Sequence, residues 1–503
     1  MTTAAHQQWR PTLLLARSFI TDYVRNPVNL IMLVLVPLVF VLVAAGSIAD
    51  AMELLRGRPG PATQIATAGW AAGFLSGLAM YFQIRSARGA DKRLLLAGLV
   101  PVRLLAARAG TGLLMAALVS AVALAALAVR TGIDRPGRVI AGTLMFALIY
   151  LAIGALVAVA VTNPVNGAVV ILLIWLIDVF VGPAGSGGDY IYTRWFPTHF
   201  VTLWMVETPS HHAGRLGDLG LALVWVAGAL VAAGVVVAAG LRTARRPRRS
   251  AGQLPTALRF GVLDVSRNRV LLTLLVIVPA AFVLLSRATT PPRPLVVAVN
   301  EHGVITNEPF WFPEIHAGAM APIAIGALAA LVGMFVVVDA AGGDHRLRLA
   351  GYRTTVMLTA RLGVVAAGAI VITAATLAVT ATVYDAKQWA GYAAANLLVA
   401  VIYALIGVII GPLLGKIAGV FVAFLIPFLD LGIIQSPMLR PQPAAWAHFL
   451  PGYGVTRVLF DTGLTAHFDE TGPLLAAFVW LAGLLAVAAI VLVRARPSKT
   501  TAG

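Results

Sequence analysis

The sequence predicts an all-α polytopic membrane protein, built from twelve transmembrane helices in two six-helix repeats of parallel orientation. Two observations carry this prediction. Of the 503 residues, 60% are hydrophobic and only 11% are charged, and the mean hydropathy is +0.90. Soluble domains of this size do not have such a composition. The second observation is that landmarks of the first half of the chain return, in the same order, in the second half.

The recurring landmarks indicate an internal duplication. The motif DKRLLLAG at 91–98 returns as DHRLRLAG at 344–351, in each case between two apolar segments. Further pairs keep their order, at separations that rise from 242 to 255 residues as duplication followed by loop insertion would give: Asp22 and Asp264, Arg25 and Arg267, Arg108 and Arg361, Tyr150 and Tyr403, Gly154 and Gly407, Asp178 and Asp430, Pro197 and Pro451, and Trp225 and Trp480. Because six spans per half is an even number, the two halves should share one orientation.

Twelve apolar segments have roughly the 20 residues that a bilayer crossing requires. They lie at about 28–47, 62–84, 104–129, 138–161, 166–183, 217–241, 270–286, 317–339, 357–383, 389–411, 415–435 and 473–493. We therefore expect a first six-span domain at 1–241, a basic cytoplasmic linker at 242–256 and a second six-span domain at 257–503. An amphipathic surface helix is expected before each domain, the first at 10–27.

Charge predicts the orientation. Most of the 37 Lys and Arg residues fall on the side of the termini in this topology. Of the 20 acidic residues, only five fall there, namely Asp22, Asp91, Asp264, Asp339 and Asp344. The positive-inside rule then places both termini in the cytoplasm. The net charge of +17 is explained by topology rather than by nucleic-acid binding.

The repeated motif is expected to form a short basic helix between spans two and three. We call its copies the first tip (91–98) and the second tip (344–351). Asp91 or Asp344 would cap the start of this helix, and Gly98 or Gly351 would end it in a left-handed conformation. The candidate contact residues between them are Lys92, Arg93, Leu94 and Leu96 in the first tip and His345, Arg346, Leu347 and Leu349 in the second. A loop that merely holds the cytoplasmic side explains the charge, but not the duplication.

Two further sets of polar residues are candidates. Asp178 and Asp430 each close a fifth span at its outer end. They either mark the end of the span at the interface or form an outer polar ring that a substrate passes. His211 and His212 have no third ligand at metal spacing, so a solvated loop and no metal site are expected.

On these residues the chain resembles an ABC-2 type transporter permease in the fused form with two six-span domains, like actinobacterial drug and antibiotic exporters. The segments before spans one and seven, with Arg17, Asp22, Arg25 and Arg267, resemble the connecting helix of that family. The tips resemble its coupling helices. FPTHFVT (196–202) and LPGYGVT (450–456) resemble its proline-bearing motif before the last span, and TNPVN (162–166) and GPLLGK (411–416) fit its break between spans four and five. The second tip departs from the family because Thr354 stands where the first copy has Pro101.

The resemblance implies a membrane-spanning subunit of an ATP-binding-cassette exporter in the plasma membrane. The tips would dock on a separate ATPase subunit, two copies per chain, which would hold ATP and Mg. The chain has no GxxxxGK[ST] motif of its own, so it is not expected to be an enzyme or to bind a cofactor. The substrate would be an amphipathic or lipophilic compound such as a drug, an antibiotic or a lipid, because few fixed charges lie at membrane depth.

Two alternatives remain open. A proton-coupled major-facilitator efflux carrier also has twelve spans in parallel halves. Its signature needs a glycine four residues before Asp-Arg and then Gly-Arg-Arg, whereas Gly89 stands two residues before Asp91 and Leu95-Leu96 follow. An enzyme of lipid-linked sugars would have to use Asp178 and Asp430 as its catalytic groups.

Overall fold

The computed structural model describes residues 27–56, 61–186, 188–208, 210–240, 269–340, 354–440 and 442–494. Several predicted features lie outside these residues: Arg17, Asp22, Arg25 and Arg267 of the surface helices, the linker 242–256, and the second tip with Asp344, His345, Arg346, Leu347, Leu349 and Gly351. By its internal contacts the chain divides into two compact units, Met1–Arg248 and Arg249–Gly503.

Unit 1 is built from helices that mostly begin at a proline. Helix α1 (Pro27–Val39) continues through a π-helical turn (Phe40–Ala44) into α2 (Ala45–Arg56). The others are α3 (Pro61–Leu96), α4 (Pro101–Thr131), α5 (Pro136–Ala160), α6 (Pro164–Val181), α7 (Pro183–Ser186), α8 (His199–Met205) and α9 (Leu216–Gly240). Proline suits the first turn because its fixed φ is already helical and no N–H is left unsatisfied there.

Unit 2 consists of helices and one pair of strands. Its helices are α10 (Arg269–Thr289), α11 (Phe312–Val338), α12 (Thr354–Thr380), α13 (Trp389–Leu429), α14 (Pro451–Leu464) and α15 (Thr471–Arg494). Between α10 and α11, strands β1 (Pro294–Glu301) and β2 (Val304–Trp311) form an antiparallel hairpin. Its two-residue turn, His302-Gly303, has positive φ at both residues, as tight hairpin turns require. The all-α prediction misses this hairpin.

Ten helices of the described chain are long and apolar enough to cross a membrane, so this is a polytopic helical membrane protein. Two predicted spans, 389–411 and 415–435, lie in one 46-residue run, Trp389–Ile434. Gly415 interrupts that run with a non-helical φ of 71°. The predicted span at 270–286 falls on a shorter apolar helix, Thr273–Thr289. The organisation into twelve spans therefore stays a prediction.

Each unit is packed around its second long helix. The membrane-spanning part of α3 is 94% buried and that of α11 is 83% buried, whereas α9 and α15 are only 22% and 17% buried and face outward. Helices α3 and α5 approach closely, since a Cβ at Gly154 would collide with the carbonyl of Gly77. In unit 2, a Cβ at Gly407 would likewise collide with the carbonyl of Ala330, where α13 meets α11. Gly154 and Gly407 thus each mark a close approach of two helix backbones in their own unit.

Candidate functional site

The first tip is the end of α3 rather than a separate mini-helix. Helix α3 runs without interruption to Leu96, so Asp91 lies inside it, and the expectation that Asp91 caps a new helix is wrong. The sequence around it contains Arg, Ala, Lys and Leu, which all favour helix, so nothing in it ends α3 where the apolar span ends.

Gly98 ends this helix as expected. Its φ of +94° is left-handed. The Leu99 N–H donates to the Leu94 carbonyl at 3.0 Å, and the Gly98 N–H donates to the Leu95 carbonyl at 3.1 Å. This pair of bonds is the Schellman motif, which satisfies the last carbonyls of a helix and turns the chain sharply. Helix α4 then begins at Pro101.

A buried ion pair fixes the tip to α4. Arg108 donates to the Asp91 carboxylate at 2.6 Å, and the two side chains are only 10% and 8% exposed. Both residues belong to the repeated pattern, and in unit 1 their ion pair gives a physical reason for keeping the two residues together. Their counterparts are Arg361, which lies on α12, and Asp344, which is outside the described residues.

The outer surface of the first tip combines cations with apolar side chains. Lys92 and Arg93 are exposed, whereas Leu94 is half-buried. Leu96 is 79% exposed, and Val102, just beyond the tip on α4, is 69% exposed. Of the predicted coupling residues in the described chain, Lys92, Arg93 and Leu96 are therefore available to a partner, and Asp91 is not.

The break between spans four and five is tied to the second span in both units. In unit 1, Arg85 of α3 donates to the Thr162 carbonyl at 2.5 Å. In unit 2, Lys416, next to the non-helical Gly415, pairs with Asp339 after α11 at 2.6 Å. Different residues thus make the same connection at the two positions singled out by TNPVN and GPLLGK.

Asp178 joins three parts of unit 1. The Tyr150 hydroxyl on α5 donates to its Oδ2 at 2.9 Å, and the Thr198 hydroxyl donates to the same oxygen at 2.5 Å. Asp178 lies on α6 and is 4% exposed. Since Thr198 follows Pro197 and precedes α8, this carboxylate connects spans four and five to the segment before the last span.

Asp430 makes the equivalent connection in unit 2. The Tyr403 hydroxyl donates to its Oδ2 at 2.7 Å, and the Gly452 N–H donates to the same oxygen at 2.8 Å. Gln435 Nε2 lies 3.4 Å from Oδ1. Gly452 follows Pro451, as Thr198 follows Pro197, so both proline motifs meet the aspartate of their own unit.

These contacts bear on the predicted outer polar ring. Each carboxylate is 4% exposed and bonded to groups of its own unit. Such an arrangement suits a joint between helices. The ring stays a prediction.

A polar cluster that sequence reasoning missed lies between α7 and α9. Arg194 holds Asp189 with two hydrogen bonds, of 2.9 and 2.5 Å, and His199 Nε2 is 3.0 Å from the same carboxylate. His212 Nδ1 is 2.9 Å from Asp218 Oδ2, and its Nε2 is 3.8 Å from Asp189. The cluster pins the segment 188–218 onto itself.

The electrostatics of this cluster follow from its geometry. The hydrogen bond from Arg194 is the main cause that lowers the pKa of Asp189, against the opposing effect of burial. Burial lowers the pKa of His199, partly opposed by Asp189. His211 is exposed, as a solvated loop predicts, but His212 is only 19% exposed. Among the described residues, no group of three or more acidic and histidine side chains is placed to hold a metal ion.

No family model matches the sequence, and no curated protein matches it significantly. Function must therefore be inferred from the tip, the two aspartate contacts and the order of the repeated motifs.

Proposed function

We propose that this chain is the membrane-spanning permease subunit of an ATP-binding-cassette exporter of the ABC-2 type. The observation that supports it most is the surface of the first tip, where exposed Lys92, Arg93 and Leu96 stand on a helix end that is rigidly held. An exposed apolar side chain beside two cations, beyond the apolar part of the span, suits a contact surface better than a fully solvated loop.

The rigidity of the tip supports a mechanical role. The Asp91–Arg108 ion pair and the Gly98 cap fix its direction relative to α4. A partner that moves the tip would therefore move α3 and α4 with it, whereas a loose loop would absorb the movement. This is what a coupling element between an ATPase and a permease requires.

The proposed topology has twelve crossings. Ten helices meet the length and hydropathy that a span needs. Helix α10 would add one, and the break at Gly415 would divide Trp389–Ile434 into two crossings. By the positive-inside rule both termini and both tips lie in the cytoplasm. Two copies of the ATPase, carrying ATP and Mg, would then bind one chain in the plasma membrane.

The proposed substrate is an amphipathic or lipophilic compound, such as a drug, an antibiotic or a lipid, that is moved out of the cell. The apolar character of the spans supports this class, because a strongly charged molecule would find few fixed partners at membrane depth. Outward direction and a role in antibiotic resistance rest on the family resemblance alone.

The test is purification of the tagged chain from its native membrane, with identification of the proteins that stay bound. We expect an ATPase at two copies per chain. Leu96→Ala should weaken its retention, since losing a docked leucine costs roughly 1–3 kcal/mol. Val129→Ala is the matched control, because Val129 is 82% exposed at the other end of α4.

The contrary outcome is equally specific. If no ATPase is retained, and the reconstituted chain moves its substrate on a proton gradient alone, the chain is a carrier and the proposal is wrong. Equal retention of the ATPase by the two variants would mean that the first tip is not part of the interface.

A further inference from the structure

Unit 1 contains a cavity of about 160 Å³ between α3, α4, α5 and α9. Its walls are mostly apolar, and include Met80 on α3, Leu105 on α4, Leu151 on α5 and Leu230 on α9. None of these residues takes part in the aspartate contacts or in the exposed surface of the tip. The apolar part of the cavity is therefore separate from the sites described above.

One end of this cavity is charged. Arg88 and Asp91 of α3 and Arg108 of α4 line it. Two arginines against one aspartate leave a formal charge of +1. Asp91 is bound to Arg108, while Arg88 is half-buried and forms no ion pair with any residue that the structure describes. An anionic group bound at Arg88 would neutralise this remaining positive charge.

The charged end and the apolar end lie at different depths. The charged residues come from the last turns of α3 and the first turns of α4, and Val159 and Val237 line the cavity from the last turns of α5 and α9. The apolar end reaches Leu151, eight residues earlier on α5, which corresponds to about 12 Å along that helix. Polar groups at the end of the spans and apolar groups deeper inside match an amphiphile that lies in one leaflet of the membrane.

Size and exposure indicate which amphiphile. A cavity of about 160 Å³ is smaller than the ~300–1,000 Å³ that encloses a drug-sized ligand, so it holds only part of a molecule. Two of its walls, α4 and α9, belong to spans that are only 44% and 22% buried. A lipid whose acyl chain enters the cavity while the rest stays in the bilayer fits both facts.

We infer that this cavity is a binding site for an anionic phospholipid of the leaflet next to the first tip. Its phosphate lies at Arg88, beside the Asp91–Arg108 pair, and one acyl chain lies along the apolar walls. Basic pockets between membrane helices have the chemistry to hold such head groups. The inference needs neither the ATPase nor the transported compound.

The experiment is native mass spectrometry of the delipidated full-length chain, titrated with phosphatidylglycerol or with phosphatidylcholine of the same acyl chains. We expect one phosphatidylglycerol to bind tightly, with a preference of about tenfold over phosphatidylcholine. Arg88→Gln should remove that preference, and Arg88→Lys should keep most of it. Arg93→Gln is the charge-matched control, since Arg93 is exposed and lies outside the cavity.

A second variant tests the apolar part. Ala109 lines the cavity from an exposed position on α4, so Ala109→Phe should fill it without disturbing the fold and should weaken phosphatidylglycerol binding. Excess inorganic phosphate should not compete, because it has no acyl chain. Equal binding of the two lipids by the unaltered chain, equal effects of Arg88→Gln and Arg93→Gln, unchanged binding by Ala109→Phe, or full competition by phosphate would each overturn the inference.

Discussion

At the scale of single residues, the ion pair between Asp91 and Arg108 connects the tip to the membrane part of unit 1. Both side chains are almost fully buried, so each depends on the other to offset the loss of hydration. A buried pair of this kind is poorly replaced by one charge alone. Its contribution is to fix a geometry rather than to add much net stability.

Removing one partner should therefore be costly. Asp91→Asn takes away the carboxylate that Arg108 binds, and breaking a buried pair costs about 3–5 kcal/mol. The double variant Asp91→Leu with Arg108→Leu should recover most of that loss, because no buried charge is left. Thermal unfolding in detergent measures both. If the single variant unfolds like the unaltered chain, the pair does not hold the tip.

The tyrosine–aspartate contacts should differ between the two units. Tyr150→Phe and Tyr403→Phe each remove one hydrogen bond to a buried carboxylate, at a cost of about 1–3 kcal/mol. Asp430 keeps the Gly452 N–H on Oδ2 and Gln435 on Oδ1, whereas Asp178 keeps Thr198 alone and its Oδ1 has no hydrogen-bond partner among the described residues. The Tyr150 change should thus lower the unfolding midpoint more.

The control for that comparison is Tyr192→Phe, since Tyr192 is 59% exposed. It should leave the unfolding midpoint unchanged. An equal or larger effect of Tyr403→Phe would mean that the additional donors at Asp430 do not compensate for the lost tyrosine hydrogen bond.

Sequence comparison within the chain singled out these tyrosines and aspartates, but it did not predict their contact. The repetition indicates that Tyr150 and Asp178 occupy positions in the first half that correspond to those of Tyr403 and Asp430 in the second. It does not show that they touch, because the contact depends on how α5 packs against α6. The second donor residue was less predictable still, since one unit uses a threonine and the other a glycine N–H.

At the scale of elements, the segment 188–218 is held by groups that titrate. His199 is fully buried, and no described residue pairs with its Nδ1, which would take up the second proton on acidification. Arg194, His212 and Asp218 are its charged or titratable neighbours in the cluster. The segment should therefore respond to pH.

The expected response is loosening in acid. The pKa of His199 and the pKa of Asp189 are both lowered by the fold, so the folded segment binds fewer protons than the unfolded one. Its stability is then full above the ordinary histidine value of about 6.5 and falls as the pH drops below it. Hydrogen exchange of 188–218 at pH 7.5 and at pH 5.5 measures this.

A pair of variants separates the cause of that response. His199→Gln should reduce the difference between the two pH values, while the exposed His211→Gln should leave it intact. Equal protection of the unaltered segment at both pH values would contradict the prediction.

Helix positions were largely predictable because prolines mark their starts and long apolar runs mark their cores. The end of α3 was not, because hydropathy identifies where a span leaves the membrane and not where its helix stops. The β1–β2 hairpin was missed for a different reason. Its turn, His302-Gly303, lacks the Asn or Asp that usually announces such a hairpin.

At the scale of the whole molecule, the chain supplies two tips that differ in sequence. The first has Lys92 and is followed by Pro101, whereas the second has His345 and is followed by Thr354. Under the proposed function, the two joints with the ATPase are therefore unequal. The second tip itself lies outside the described residues.

The inequality leads to a test on the assembled complex. Each change leaves an unmatched charge on the partner, but Arg93→Ala should lower transport more than Arg346→Ala, because only the first tip has Lys92 and is followed by Pro101. The double variant should uncouple ATP hydrolysis from substrate. Substrate-stimulated ATPase activity after reconstitution measures this, and stimulation that survives the double change in an intact complex would contradict the proposal.

The unbroken length of α3 has a last consequence. Its 36 residues make a rod of about 54 Å, while the hydrocarbon core of a bilayer is only ~30 Å thick. In the proposed topology, the end of α3 that carries the first tip extends beyond the hydrocarbon core. Because α3 meets α5 closely at Gly77 and Gly154, that contact is the point about which α3 would tilt if a partner pushed on the part outside the membrane. Movement of the first tip at one surface would then reach the other end of the span through the helix itself.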